Sequence, residues 1–271
     1  MKGSLSKRSK SSWTIRLTLG RKIDPKTGKS KVNQKTITVK GTKREAEAKL
    51  AELLNQYNKG EYIEPTTLTT GEWLQRWIDV YVKNSRQKRL RTVETYESVV
   101  RRHLIPAFSE VPLQKLSAGH IQHYYNTSTL ASSTLEQHHN ILHQALKVAA
   151  INERLININP AEFVVEKPVG KKNLEIQVWD EIEVRKFLSA AREAGIEEEA
   201  FYTLAIETGM RKGELCGLKW DDVDLVARRV SVIRTLIRAS PEPILGPPKV
   251  GRRRAVAISP QMARLLQRHK V

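Results

Sequence analysis

The chain has 271 residues, 39% hydrophobic and 28% charged, a composition typical of a globular protein with two or three domains. No apolar run approaches the roughly 18 residues of a membrane-spanning helix, and the single cysteine, Cys216, excludes an internal disulfide. The net charge is +18, and the first 60 residues hold sixteen Lys and Arg against four Asp and Glu. This uneven distribution favours a polyanionic partner, with nucleic acid ahead of an anionic membrane surface.

The N-terminal segment, residues 3–40, predicts a small three-stranded sheet backed by one helix. Polar and apolar residues alternate over 13–19 and 36–39, the period of strands with one buried face. A turn-forming segment occupies 24–29. Thr42 and Glu45 form a capping-box pattern, so a helix should follow to about residue 59.

A linker over about 60–70 precedes a region with helical periodicity. The apolar spacing predicts four helices, at about 71–81, 92–104, 117–125 and 132–150. The second helix should end before Pro106, and Asn159-Pro160 should end the bundle.

The remaining sequence, after a second linker at 161–173, is mixed. Helices are predicted at about 180–194 and 198–208, with a short one after Gly209 and a last one opened by Ser259-Pro260. Between them, single strands are predicted at 230–237 and 254–258, joined by a turn-rich connection at 241–248.

One segment of this region, 208–224, suggests a site. Gly209 permits a sharp turn, Arg211 begins the next helix, and Glu214 lies one turn later on the same face, where it can orient the guanidinium. An arginine so placed suits bidentate capture of a phosphate. From geometry alone, an ordinary surface ion pair is the commoner explanation.

The same segment resembles the box around the first catalytic arginine of tyrosine recombinases (phage integrases), T-G-x-R-x-x-E-L, then L-x-W-x-D-(I/V)-D. Every key position matches, through to Asp224. The resemblance implies that Arg211 contacts the scissile phosphate and that Glu214 supports it.

A second match follows at Pro248-Lys249, which looks like the start of the family's β-hairpin. The resemblance places Lys249 on the hairpin lysine, which in this family protonates the leaving 5′-oxygen. Val250 stands where threonine is usual, and a basic run follows at 252–254. A solvated turn lysine is therefore the alternative.

The resemblance extends upstream. The segments 95–96, 103–106, 113–116 and 159–160 look like those of the family's SAM-like, four-helix core-binding domain, which clamps DNA. Ser12-Trp13 and the segment 41–46 resemble the AP2-like arm-binding domain, which lays three strands in the major groove. Four basic residues are therefore candidates for DNA contact, each with a solvated surface charge as the alternative: Arg16, Arg21, Lys31 and Lys35.

The family's reaction also needs an H-x-x-R box, a further His or Trp, and a tyrosine nucleophile that forms a 3′-phosphotyrosine. No tyrosine follows Tyr202, and only two residues follow His269. We therefore expect a chain truncated within its catalytic domain, which binds DNA but does not cleave it. No cofactor is expected, since transesterification conserves bond energy.

The histidines and the single cysteine are two further features of the sequence. Five histidines between His120 and His143 include spacings that a zinc site can use, but we expect surface or DNA-facing histidines and no metal. Cys216 is expected to be a small buried hydrophobe.

The predicted fold class is multidomain α+β. It comprises an AP2-like three-stranded sheet plus helix at 1–62, an all-α SAM-like core-binding domain at 67–160, and a partial mixed α/β tyrosine-recombinase catalytic domain at 174–271. The predicted function is site-specific recombination or integration of a mobile element in the cytoplasm. Expected partners are double-stranded DNA at arm-type and core-type sites, further copies forming a tetramer of the full-length protein, and accessory DNA-bending or excisionase proteins. The alternatives are a non-catalytic DNA-binding regulator or vestigial integrase and, less favoured, an unrelated RNA-binding protein.

Overall fold

The computed structural model describes residues 2–9, 11–23, 30–59, 62–170, 177–238, 242–248 and 253–270. Its contacts divide the chain into two compact units, Met1–Trp77 with Arg102–Val169, and Ile78–Arg101 with Gly170–Val271. Within the described ranges, no helix has the length and apolar character needed to cross a membrane. The turn predicted at 24–29 lies outside them.

The first unit opens with the predicted antiparallel sheet and helix. Their bounds are β1 (Lys2–Ser9), β2 (Ser12–Ile23), β3 (Ser30–Lys40) and α1 (Lys43–Asn58), with β2 in the centre of the sheet. Ile15 and Leu17 of β2 are fully buried in one core with Leu53 of α1. The capping box is confirmed, since Thr42 N donates to Glu45 Oε2 at 2.7 Å and Glu45 N donates to Thr42 Oγ1 at 3.3 Å.

The region that follows is helical, as predicted. Its segments are α2 (Thr70–Trp77), a π-helical turn (Ile78–Val82), α3 (Leu90–Val99), a second π-helical turn (Val100–Leu104), α4 (Ile105–Phe108), α5 (Ala118–Thr127) and α6 (Ser132–Ile151). Trp73 of α2 is fully buried, and its indole nitrogen donates to the carbonyl of Ala145 on α6 at 3.1 Å. Leu142 and Leu146 are also fully buried, so the apolar stripe predicted for α6 faces the core.

The expectation that the second helix ends before Pro106 was wrong. The helical path continues through the π-helical turn at Val100–Leu104 into α4, where Pro106 lies in the first turn. Proline lacks an N–H group, so it is tolerated where the hydrogen-bond ladder is reset at a helix start.

The second unit contains the mixed α/β region. Its elements are α7 (Glu181–Ala194), α8 (Ile196–Thr208), α9 (Lys212–Cys216), a 3₁₀ turn (Trp220–Asp222), β4 (Val223–Asp224), β5 (Arg229–Val232), β6 (Thr235–Arg238), β7 (Ile244–Gly246), β8 (Arg254–Ala257) and α10 (Pro260–Lys270). One antiparallel sheet has the order β4-β5-β8, and β6 pairs with β7. Val230 and Val232 of β5 share a core with Leu204 of α8 and Met262 of α10.

The single strand predicted at 230–237 was wrong, because the chain leaves the first sheet after Val232 and enters the second as β6. The break falls beside Arg234, whose guanidinium donates to the buried carboxylate of Asp222. The connection predicted to be turn-rich also contains a strand, β7.

Candidate active site

Arg211 lies at the start of α9, and the turn before it depends on glycine. Gly209 ends α8 with φ +59°, the left-handed conformation that side chains other than glycine rarely adopt. Met210 is buried, and Arg211 then takes an extended conformation as the N-cap of α9. The Arg211 side chain is 59% exposed. The predicted sharp turn therefore presents this guanidinium to solvent.

Glu214 supports Arg211 from the inner side. Its carboxylate is only 1% exposed. Oε2 accepts a hydrogen bond from the backbone N–H of Arg211 at 2.9 Å, and Oε1 accepts one from Arg211 Nη1 at 3.3 Å. The contact predicted from the sequence spacing is therefore present, and it fixes both the backbone and the side chain of the arginine.

A second arginine, which the sequence analysis missed, holds the same carboxylate. Arg254 of β8 donates from Nη1 to Glu214 Oε1 at 2.9 Å and from Nη2 to Oε2 at 2.6 Å. The alternation of β8 offered a signal, because Arg254 and Val256 are half-buried on one face while Ala255 and Ala257 are exposed. The sequence alone did not show what that face packs against.

The charges of these three groups are strongly coupled. Hydrogen bonds from Arg254, reinforced by those from Arg211, lower the pKa of Glu214 to about 2 despite its burial. The same contact raises the pKa of Arg254. At neutral pH the cluster thus has two guanidinium groups and one carboxylate, and its net positive charge suits an anion.

Lys249 lies outside the described residues. The preceding residue, Pro248, is buried, and its carbonyl accepts a hydrogen bond from Arg89 Nη2 at 3.2 Å. Arg238 Nη1 of β6 lies 3.5 Å from Glu94 Oε1 of α3. Arg89, just before α3, thus contacts the residue preceding Lys249, and Glu94 of α3 contacts β6.

The predicted DNA-contacting residues do not share one face of the N-terminal sheet. Arg16 is exposed and pairs with Thr36, on the face opposite to the buried Ile15 and Leu17. Arg21 is also exposed and pairs with Val32 across the strands. The open face around Arg16 is polar, and its residues include Ser4, Ser6, Thr14, Thr18, Gln34 and Thr38.

Lys35 lies on the other face. It pairs with the buried Leu17 across the strands. Its ammonium lies 3.7 Å from Glu64 Oε1 and 5.3 Å from the ring centre of Tyr62. Lys31 lies in β3 opposite Lys22, and its side chain is outside the described part of the structure.

Two of the histidines expected at the surface are buried, so that expectation was wrong for them. His138 Nδ1 lies 2.8 Å from Tyr124 Oη, and His139 Nδ1 lies 2.8 Å from Tyr125 Oη. Burial lowers the pKa of His138 to about 4 and also lowers that of His139. Among the described residues, no group of three or more His, Cys, Asp or Glu side chains is placed to hold a metal.

Cys216 is exposed, which corrects the expectation of a buried residue. The single turn of α9 directs Glu214 and Leu215 inward, and Cys216 consequently falls on the outer side.

Two family models match this chain. Residues 177–269 match the model described as the phage integrase family. Residues 69–128 match the model of the phage integrase N-terminal SAM-like domain.

Individual proteins agree with these models. The "Tyrosine recombinase XerC-like" protein of Caldanaerobacter subterraneus is 29% identical over 240 residues, which cover 85% of this chain and 58% of that protein. The chain spans about half the length of the curated relatives it matches.

Two solved structures show the same fold. The Tn1549 transposon integrase, in complex with a circular intermediate DNA, has a TM-score of 0.63 at 17% identity, covering 74% of this chain and 64% of that one. The lambda integrase tetramer bound to a Holliday junction has a TM-score of 0.58 at 20% identity, covering 98% and 74%. The predicted fold class, with a small sheet, a SAM-like helical domain and a mixed α/β catalytic domain, is confirmed.

The two family models match in the order in which integrases arrange their domains, and the arginine box at α9 falls within the second match, so this chain belongs to the tyrosine recombinase (phage integrase) family.

Proposed function

We propose that this chain serves site-specific recombination of a mobile DNA element, with Arg211 binding the scissile phosphate. The observation that carries the proposal is the exposed guanidinium of Arg211, oriented by the buried carboxylate of Glu214. A planar guanidinium can donate two hydrogen bonds to non-bridging phosphate oxygens. It also stabilises the additional negative charge that develops when the phosphorus is attacked.

The other chemical roles follow from family membership. Lys249 is proposed to protonate the leaving 5′-oxygen. The family's nucleophile is a tyrosine, and none follows Tyr202 among the 271 residues. We therefore expect the polypeptide of residues 1–271 to bind DNA without forming a phosphotyrosine.

The proposed DNA-binding surface of the N-terminal part is the open face of β1, β2 and β3, with Arg16 and Arg21 as its contacts. Its polar side chains and the surplus of positive charge before residue 60 support this assignment. In this proposal, residues 1–62 bind arm-type sites, 67–160 bind core-type sites, and 174–271 contribute to catalysis. By likeness to the lambda integrase tetramer on a Holliday junction, a longer chain would act as four copies on two duplexes.

The experiment begins by selecting duplexes from a random library with the purified 271-residue chain. The selected duplexes are then offered with a bridging 5′-phosphorothiolate at each candidate position, because a thiolate leaving group does not need a proton donor. We expect DNA to be enriched and no covalent complex to be seen on a denaturing gel. Failure to enrich any duplex would contradict DNA binding, and a covalent complex would contradict the expected lack of cleavage.

The rival function is a non-catalytic DNA-binding regulator. The surplus of positive charge before residue 60 supports DNA binding under either function. Under the rival function, the chain should compete with an active recombinase for the selected duplex. No phosphate of that duplex should need Arg211 for its contact with the chain.

A further inference from the structure

Two arginines contact the carboxylate of Glu214, and their contacts differ in number and length. Arg254 makes a bidentate contact with the two carboxylate oxygens, at 2.9 Å and 2.6 Å. The guanidinium of Arg211 makes one longer contact, at 3.3 Å. The principal counter-ion of Glu214 is therefore Arg254.

Exposure separates the two arginines further. The side chain of Arg254 is 37% exposed, against 59% for Arg211, while the carboxylate between them is almost fully buried. A buried carboxylate needs a close positive partner to remain ionised. If Arg211 were the sole partner, the pair would be neutral overall and would attract an external anion poorly.

We propose that Arg254 is a positioning residue, which balances the charge of Glu214 and so leaves the guanidinium of Arg211 available to a phosphate. Arg254 acts through Glu214 and does not itself contact the phosphate. The inference rests on the proposed function, because it takes a phosphate as the ligand of Arg211. It also gives β8, the strand that follows the lysine segment, a direct connection to the arginine at α9.

The test uses the full 271-residue chain and inorganic phosphate as the probe. The readout is the Nε–Hε signal of Arg211 in NMR spectra, assigned by its loss in Arg211→Lys. We expect Arg254→Gln to raise the dissociation constant for phosphate about tenfold. Arg254→Lys keeps the charge and should restore most of the affinity.

A double variant separates charge balance from a purely structural role. In Arg254→Gln with Glu214→Gln, both charges of the pair are absent, so phosphate affinity should return to within about threefold of the original chain. Arg254→Gln leaves the buried carboxylate of Glu214 with one partner fewer and can therefore misfold. The double variant avoids this problem, because its residue 214 is uncharged. If Arg254→Gln does not fold, the double variant is compared with Glu214→Gln. Glu214→Gln has one positive charge more and should bind phosphate about tenfold more tightly, while the double variant should stay within about threefold of the original chain.

The outcomes distinguish this inference from the proposed function. Equal phosphate affinity in the original chain and Arg254→Gln would overturn the inference and leave the proposed function intact. Weak binding in both Arg254→Gln and the double variant would make Arg254 a structural brace or a direct phosphate ligand, and would also overturn it. If the Nε–Hε signal of Arg211 does not shift when phosphate is added to the original chain, the proposed phosphate site is overturned, and the inference with it.

Discussion

Arg254 and Glu214 join strand β8 to the start of α9, with Nη2 of the arginine 2.6 Å from Oε2 of the carboxylate. The pKa of Glu214 is about 2, against an ordinary value of 4.5. A carboxyl with a lowered pKa in the folded state contributes stability above its unfolded pKa and loses it as the pH falls toward the folded one.

The first prediction is therefore that the free energy of unfolding falls between pH 4.5 and pH 2, by on the order of 3 kcal/mol from this group. Glu214→Gln should flatten the profile in that window. Urea unfolding at a series of pH values measures it. An identical acid profile in both proteins would show that Glu214 does not have the lowered pKa.

The second prediction concerns His138, whose pKa is lowered to about 4 by burial. The unfolded chain binds a proton near pH 6.5, while the folded chain binds it only near pH 4, so stability should be lost as the pH falls through this window. The loss should be on the order of 3 kcal/mol, and His138→Phe should remove this pH dependence. His123→Asn, at an exposed histidine, is the control and should behave like the original chain. If both variants reduce the pH dependence of stability equally, that pH dependence does not come from His138.

The third prediction separates the two faces of the N-terminal sheet. Arg16→Ala should weaken DNA binding and lower the slope of log affinity against log salt by about 1, because one phosphate contact and its released counterion are lost. Lys35→Ala should change the slope much less, since Lys35 faces the helix side and contacts Glu64. Fluorescence anisotropy at several salt concentrations gives both slopes. A larger effect at Lys35 would place the DNA on the opposite face.

The fourth prediction concerns the turn before α9. Gly209→Ala should destabilise the chain by about 1 kcal/mol, because φ is +59° while the space around a Cβ is open. Gly209→Asn should cost less, since asparagine tolerates the left-handed region. Thermal unfolding compares the two, and equal stability of all three proteins would mean that the turn relaxes without strain.

The sequence predicted the features that depend on local chemistry. The Thr42 cap, the turn at Gly209 and the contact between Arg211 and Glu214 follow from spacing along one segment. The inward position of His138 was also accessible, because it lies on the helical stripe between Leu135 and Leu142.

The rest depended on how strands align. Arg254 reaches Glu214, 40 residues away in sequence, only because of how β8 is placed in the folded second unit. Likewise, only the register of β2 against β3 separates Arg16 from Lys35, by pairing the first with Thr36 and the second with Leu17. A charged residue in an alternating strand has no assigned face until its partner is known.

We propose that Arg211 binds one particular phosphate of the duplex. A scan of single, uncharged methylphosphonate linkages through the selected duplex tests this contact. In the original chain, the methylphosphonate at the phosphate bound by Arg211 should lower the affinity about threefold. Arg211→Ala should lower the affinity by a similar factor, and the methylphosphonate at that position should then cause no further loss. Lys212→Ala, at the exposed neighbouring residue, should keep the original profile. If Arg211→Ala retains the sensitivity at every linkage, Arg211 does not bind a phosphate of the duplex, contrary to the proposed function.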